Sequence, residues 1–219
     1  MNKRLSLSLL LIALAVPTLQ GCFPAVVAGA AVGVMSIHDR RSTGTQTDDE
    51  STEWKAAGRI PAEYKAASRV SFTSYNRRLL ITGEVPNETA RATIEAEARK
   101  LDGVREVYNE TVIAAASSLG ARSNDSFIDS KVKARLVDSN QISANHVKVV
   151  TDRGVVHLMG LVNEREARVA VSVARTTAGV KKVVNLLEVL SDDDIRRLDE
   201  QALGARKAPA NQAAPVEKR

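Results

Sequence analysis

Val147-Lys148-Val149-Val150-Thr151-Asp152-Arg153-Gly154-Val155-Val156-His157-Leu158-Met159-Gly160 is an alternating apolar run that reaches a polar turn and returns as a second run ending at glycine. Two runs of period two around Asp152-Arg153-Gly154 read as a β-hairpin. The pattern recurs 77 residues earlier as Val70-Ser71-Phe72-Thr73-Ser74-Tyr75-Asn76-Arg77-Arg78-Leu79-Leu80-Ile81-Thr82-Gly83, with Asn76-Arg77 at the turn. The offset holds for Val85 and Val162, Ala90 and Ala167, and Arg91 and Arg168. One residue is then lost, and Gly103-Val104, Val107 and Asn109 correspond to Gly179-Val180, Val183 and Asn185. The chain carries a duplicated unit.

Working outward, each hairpin is followed by a helical stretch that opens at Asn87 or Asn163, both good N-cap residues. Ala167, Val171 and Ala174 keep helical spacing, and Gly103 and Gly179 are predicted to stop the helices at C′. A last strand is predicted over residues 104–113 and 180–190. The second copy has a further helix before its hairpin, with Asn124-Asp125 as predicted cap and Ile128, Val132 and Leu136 as the core-facing stripe. In the first copy the equivalent stretch is placed from Asp48, with Ser51, Lys55 and Arg59 at the matching positions and Gly58 and Pro61 inside. That helix is expected to be degenerate, anchored loosely by Trp54, Ile60 and Tyr64.

The predicted fold class is therefore α+β: two units of order α-β-β-α-β, each a three-stranded mixed sheet with helices on one face. A unit of about 65 residues builds a marginal core alone, so the two copies are expected to pack on each other.

The amino terminus has another character. Lys3 and Arg4 precede an apolar run over residues 5–16, the pattern of an export signal and too short to span a bilayer. Leu19-Gln20-Gly21-Cys22 resembles the bacterial lipobox, in which the cysteine is acylated and the chain is cut before it. Phe23 follows it where aspartate would stand in an inner-membrane sorting signal, and that resemblance implies the outer membrane. The expected domains are 1–21 signal peptide, 22–47 lipidated amino terminus and linker, 48–116 and 117–190 the two copies, and 191–219 a charged, largely disordered tail. Within that tail, Asp192-Asp193-Asp194 is predicted to cap a short helix to Leu203, with disorder from Ala205.

Composition narrows the function classes. Lys and Arg total 31 against 26 Asp and Glu, and aromatics make up 3%. So mild a basic excess, with few rings for stacking, argues against nucleic acid as partner. Cys22 is the sole cysteine and the three histidines are scattered, so no intramolecular disulfide and no cysteine-based zinc site can form. No phosphate-binding loop, nucleophile elbow or metal motif is present. His157 reads as a half-buried strand residue, and Glu164 and Glu166 as acidic residues favourable at a helix start. No enzyme, cofactor, metal site or small-molecule substrate is expected.

The α-β-β-α-β order, the glycine closing the hairpin and the Gly-Val opening the last strand together resemble the BON domain. Three stretches carry the resemblance: Asp39-Arg-Arg-Ser-Thr-Gly-Thr-Gln-Thr-Asp-Asp49, Ser123-Asn-Asp-Ser-Phe-Ile-Asp-Ser-Lys-Val-Lys133 and His157-Leu-Met-Gly-Leu-Val-Asn-Glu-Arg-Glu-Ala167. Two such domains behind a lipobox look like the dual-BON outer-membrane lipoproteins. That resemblance implies a periplasm-facing lipoprotein that binds anionic phospholipid through its second BON domain, supports envelope integrity and has no catalytic activity. The alternative is an adaptor that recruits an envelope assembly or cell-wall partner.

The residues bear on that role directly. At about 100° per residue, Phe127, Ala134 and Val137 fall opposite the stripe of Ile128, Val132 and Leu136. Lys131 and Lys133 flank this second stripe. An apolar stripe bordered by lysines suits shallow insertion among anionic headgroups. The same stripe would equally suit cover by the neighbouring domain. Phe127, Lys131, Lys133, Ala134 and Val137 are the predicted lipid contacts, and Cys22 is the predicted lipidation site.

Overall fold

The computed structural model describes residues 39–207. The expected signal peptide, lipobox and Cys22 lie outside the described residues, as does the tail beyond residue 207. The first copy comprises α1 (Thr43–Gly58), a short α2 (Ala62–Lys65), β1 (Arg69–Tyr75), β2 (Arg78–Val85), α3 (Glu88–Arg99), β3 (Glu106–Asn109) and β4 (Val112–Ile113). The second comprises α4 (Leu119–Asp138), a single 3-10 turn (Ala144–His146), β5 (Val147–Asp152), β6 (Val155–Val162), α5 (Glu164–Arg175) and β7 (Lys182–Val189). A last helix, α6 (Asp192–Lys207), follows.

Each hairpin is antiparallel, and the last strand of each copy runs parallel to the strand before the crossover helix. The sheet orders are β1-β2-β3 and β5-β6-β7. The single strand expected over residues 104–113 is split into β3 and β4, which pair with β2 one after the other. Both hairpin loops have two residues in left-handed backbone: Asn76 and Arg77 at φ 51° and 65°, and Arg153 and Gly154 at φ 53° and 78°. This twist suits a two-residue hairpin. Gly83 pairs with Val70 and Gly160 with Val147, so the two glycines occupy equivalent positions, as the 77-residue offset requires. Both are needed for close approach. A Cβ on Gly83 would stand 2.0 Å from the carbonyl oxygen of Arg69, and one on Gly160 would stand 2.2 Å from that of His146.

Strand alternation gives each sheet two buried faces. On the helix-covered face of the first sheet, Leu79, Ile81 and Val85 pack with Ala90, Ile94 and Ala98 of α3. In the second copy, Val156, Leu158 and Val162 pack with Ile128, Val132 and Leu136 of α4 and Ala170 and Ala174 of α5. The opposite faces meet. Tyr75 and Leu80 of the first copy form one cluster with Met159, Leu161 and Leu186 of the second, and Leu198 of α6 packs against it. Fully burying one such apolar side chain contributes roughly 1.5–3 kcal/mol. The expected packing of the copies on each other is therefore present as a shared core.

Several local expectations are corrected. The first-copy helix forms over 16 residues with Ser42 as N-cap, its Oγ accepting from the Thr45 N–H. It is degenerate in its core face: Thr52 and Ala56 stand where the second copy has Ile128 and Val132, and the register differs by one from Ser51, Lys55 and Arg59. Ile60 and Tyr64 pack on the core as expected, whereas Trp54 is 81% exposed and anchors nothing. In the second copy α4 starts at Leu119 with Ser118 as N-cap, so Asn124-Asp125 lies inside the helix. The crossover helices have their C-caps at Lys100 and Thr176, so Gly103 and Gly179 serve the turn beyond the helix. Their φ values are 85° and 99°. Ser191, not the aspartate triplet, takes the capping role at α6, accepting from the Asp194 N–H at 3.1 Å. Ile195 is buried, so this part of the tail is docked.

Candidate functional site

The buried stripe of α4 turns its other face to solvent. Phe127 is 61% exposed, and Leu119, Ala134 and Val137 are exposed with it, so the neighbouring domain does not cover Phe127 or Val137. The Lys131 ammonium lies 4.6 Å from the centre of the Phe127 ring, one helical turn away. Lys131 also donates to the carbonyl of Ala178, which ties it to the turn after α5. Lys133 is paired with Asp129 at 2.7 Å along the same helix. The structure thus brings Phe127 and Lys131 together, and places Lys133 on the flank with its charge shared by a carboxylate.

Two aspartates fix the sites of both first helices. Asp125 is buried and accepts from the backbone N–H groups of Arg153 and Gly154 at 2.9 and 2.8 Å, bracing the left-handed hairpin turn from α4. Asp49 does the same in the first copy, accepting from the N–H groups of Asn76 and Arg77 at 2.7 and 2.9 Å. Charge-assisted bonds of this kind are about twice as strong as neutral ones. They give the Phe127 helix a fixed seat on the hairpin. The sequence pattern predicts Asp125 at a cap, whereas it lies inside α4. At the 77-residue offset Asp125 falls on Asp48, and only the one-residue shift of α1 makes Asp49 its equivalent.

Arg40 reads in the sequence as a charged residue of a polar linker, yet its guanidinium makes five hydrogen bonds. It is buried, and its guanidinium donates to Glu166, Asp199 and the carbonyl of Leu161. It thereby joins the segment before α1 to β6, α5 and α6. Burial pushes the Glu166 carboxyl up, but hydrogen bonds from His146 and Arg40 and from the Asn163 N–H, with the Arg40 charge, outweigh it and hold the group at about 2. Glu166 also completes a capping box with Asn163. It is a structural carboxylate.

His157, expected half-buried, is 2% exposed. It lies on the face of β6 turned to the first copy, with Nε2 3.8 Å from Glu110 and Nδ1 3.3 Å from the carbonyl of Val150. Burial lowers its pKa, against the Val150 carbonyl and Glu110, which raise it. Glu84, also buried at this junction, is paired with Arg153 of the second copy at 3.4 Å and hydrogen-bonded by Ser117. Among the described residues there is no grouping of three or more metal-ligating side chains, and no helix is long and apolar enough to cross a membrane.

The BON domain model matches twice, at residues 48–115 and 124–191, one match on each α/β unit. The chain is 39% identical over 174 residues to the outer membrane lipoprotein DolP of Haemophilus influenzae, covering 78% of this chain and 90% of that protein. It is 34% identical over 151 residues to a 21 kDa hemolysin of Actinobacillus pleuropneumoniae, covering 68% of this chain and 78% of the relative. A third relative, the osmotically-inducible protein Y of Escherichia coli, is 33% identical over 123 residues, covering 56% and 59%. None of these three names denotes an enzyme. Two family matches on two sheets that share one core, with a relative matched over nine-tenths of its length, show that the chain belongs to the BON-domain family, among its outer-membrane lipoproteins.

Proposed function

We propose that this protein is anchored to the outer membrane by an acylated Cys22, faces the periplasm, and binds anionic phospholipid through the second BON domain to support envelope integrity. The observation that carries the reading is the outward face of α4, where the exposed Phe127 ring stands against the Lys131 ammonium. The ring would enter the headgroup boundary while Lys131 and Lys133 meet phosphates and Ala134 and Val137 line the contact. A single acyl chain anchors marginally and several anchor firmly. The contact through α4 would then report lipid composition and not merely hold position.

The test is co-sedimentation of residues 23–219, which lack the acyl anchor, with vesicles. Binding to phosphatidylglycerol or cardiolipin vesicles that is absent with phosphatidylcholine, and that weakens with salt, is the expected result. Equal binding to both, or to neither, would overturn the reading and favour the adaptor.

A further inference from the structure

The two copies of the fold serve as each other's control at the groove between the crossover helix and the last strand. In the first copy this groove is closed by side chains. Asn109 donates its amide to the carbonyl of Arg91 at 3.2 Å and to Glu95 at 3.0 Å, and Arg91 donates back to the carbonyl of Asn109 at 3.3 Å. In the second copy the corresponding residues are Asn185, Arg168 and Ser172. Arg168 pairs along its own helix with Glu164 at 3.0 Å, and Ser172 is too short to reach as Glu95 does. The Asn185 amide nitrogen makes no hydrogen bond among the described residues. An open groove of about 680 Å³ results, lined along α5 and by Asn185 and Val189 of β7.

We propose that this groove docks an extended acidic peptide of a partner protein, laid beside β7. Its dimensions suit such a segment. The lining runs along α5 from Glu164 to Thr176, about 18 Å at about 1.5 Å per residue, the length of roughly five or six extended residues. β7 pairs with β6 and no other strand among the described residues, so the groove lies along a sheet edge. Ala167, Val171 and Val189 give an apolar floor for alternate side chains of the guest. Its charge favours acid on balance: Arg168, Arg175 and Glu164 line it, Glu164 is taken up by Arg168 at 3.0 Å, Arg175 adds a further positive charge, and the carboxylate that the first copy places there as Glu95 is replaced by Ser172. An acyl chain suits it less well. Ser172, Thr176 and Asn185 stand among the apolar residues, and polar groups against hydrocarbon are costly, whereas a peptide backbone satisfies them. The proposal does not depend on phospholipid binding by α4.

The experiment uses the mature chain labelled with nitrogen-15 and a fluorescein-labelled peptide Val-Glu-Val-Glu-Val-Glu as probe. Saturable binding is expected, with shift changes confined to α5 and β7. Arg168→Glu combined with Arg175→Glu should weaken it at least about tenfold, and Ser172→Glu, which restores the closure seen in the first copy, should do the same. Both variants should keep the thermal midpoint and the binding to phosphatidylglycerol vesicles. The proposal is overturned if a Val-Lys-Val-Lys-Val-Lys peptide binds as well, or if the shifts fall outside the groove. It is equally overturned if the exposed Arg168→Ala, Arg175→Ala pair leaves affinity unchanged, or if phosphatidylglycerol vesicles displace the peptide, which would mark a lipid groove.

Discussion

Arg40 and Glu166 stand 126 residues apart in the chain and meet through paired contacts of 2.7 and 3.0 Å, guanidinium to carboxylate. Asp199 takes the remaining side of the same guanidinium at 2.8 and 3.2 Å. One buried side chain just ahead of the first BON domain is thereby fastened to the second domain and to the helix after it. The segment between the predicted anchor and the folded units ends in a clasp.

Glu166→Gln should destabilise the protein by about 3–5 kcal/mol, because it leaves a buried guanidinium without its main counter-charge. The wild-type dependence on pH follows from the same pair. The carboxyl is held at about 2 in the fold, so its contribution is fully present above the unfolded value of about 4.3 and is lost as pH falls toward 2. Urea unfolding between pH 6 and pH 3 checks this: the acid-side loss should be smaller in Glu166→Gln than in the wild type.

Phe127→Glu should abolish binding to phosphatidylglycerol vesicles and leave the thermal midpoint nearly unchanged, since the ring is exposed and supports no core. Ile128→Glu, at a residue 1% exposed, should unfold the second domain instead. Lys131→Glu should weaken binding by about 1 kcal/mol or more for the lost charge. Melting by Phe127→Glu would move the ring into the structure and remove it from the membrane.

Burial between the sheets lowers the pKa of His157, so the unfolded chain takes up a proton first as pH falls through about 6.5. More protons on the unfolded state mean stability that rises with pH across that window. His157→Leu, which copies Leu80 at the equivalent position, should flatten the profile between pH 5 and pH 7. Chemical denaturation at the two pH values reads the difference.

Gly83→Ala and Gly160→Ala should each cost about 2 kcal/mol or more, since the added methyl would meet a backbone carbonyl at 2.0 or 2.2 Å. Gly83 carries the further strain of φ 112°. Urea midpoints against a control such as Gly58→Ala, where a Cβ meets nothing within 4 Å, isolate the effect.

Cys22→Ala should give an uncleaved precursor that fails to reach the outer membrane. Membrane fractionation with mass measurement of the amino terminus is the check, and normal processing of that variant would sink the lipobox reading.

The sequence alone determined the repeat, the hairpins, the crossover helices with their asparagine caps, and the equivalence of Gly83 and Gly160. These depend on period, turn chemistry and capping, which act within a few residues and so leave their mark locally. It also separated the core stripe of Ile128, Val132 and Leu136 from the face that carries Phe127, because helical spacing is a local property. Tertiary structure decided the rest. Thr52 and Ala56 face the first core although neither belongs to an apolar stripe, because Asp49 locks the helix register on the hairpin from 27 residues away. Arg40 looks like any charged residue of a polar linker until Glu166 and Asp199 are brought beside it. His157 reads as a half-buried strand residue until the sheet of the first copy covers it. A strand's alternation tells that two faces differ, but not whether the second face meets water or another sheet; only the docking of the two copies settles that.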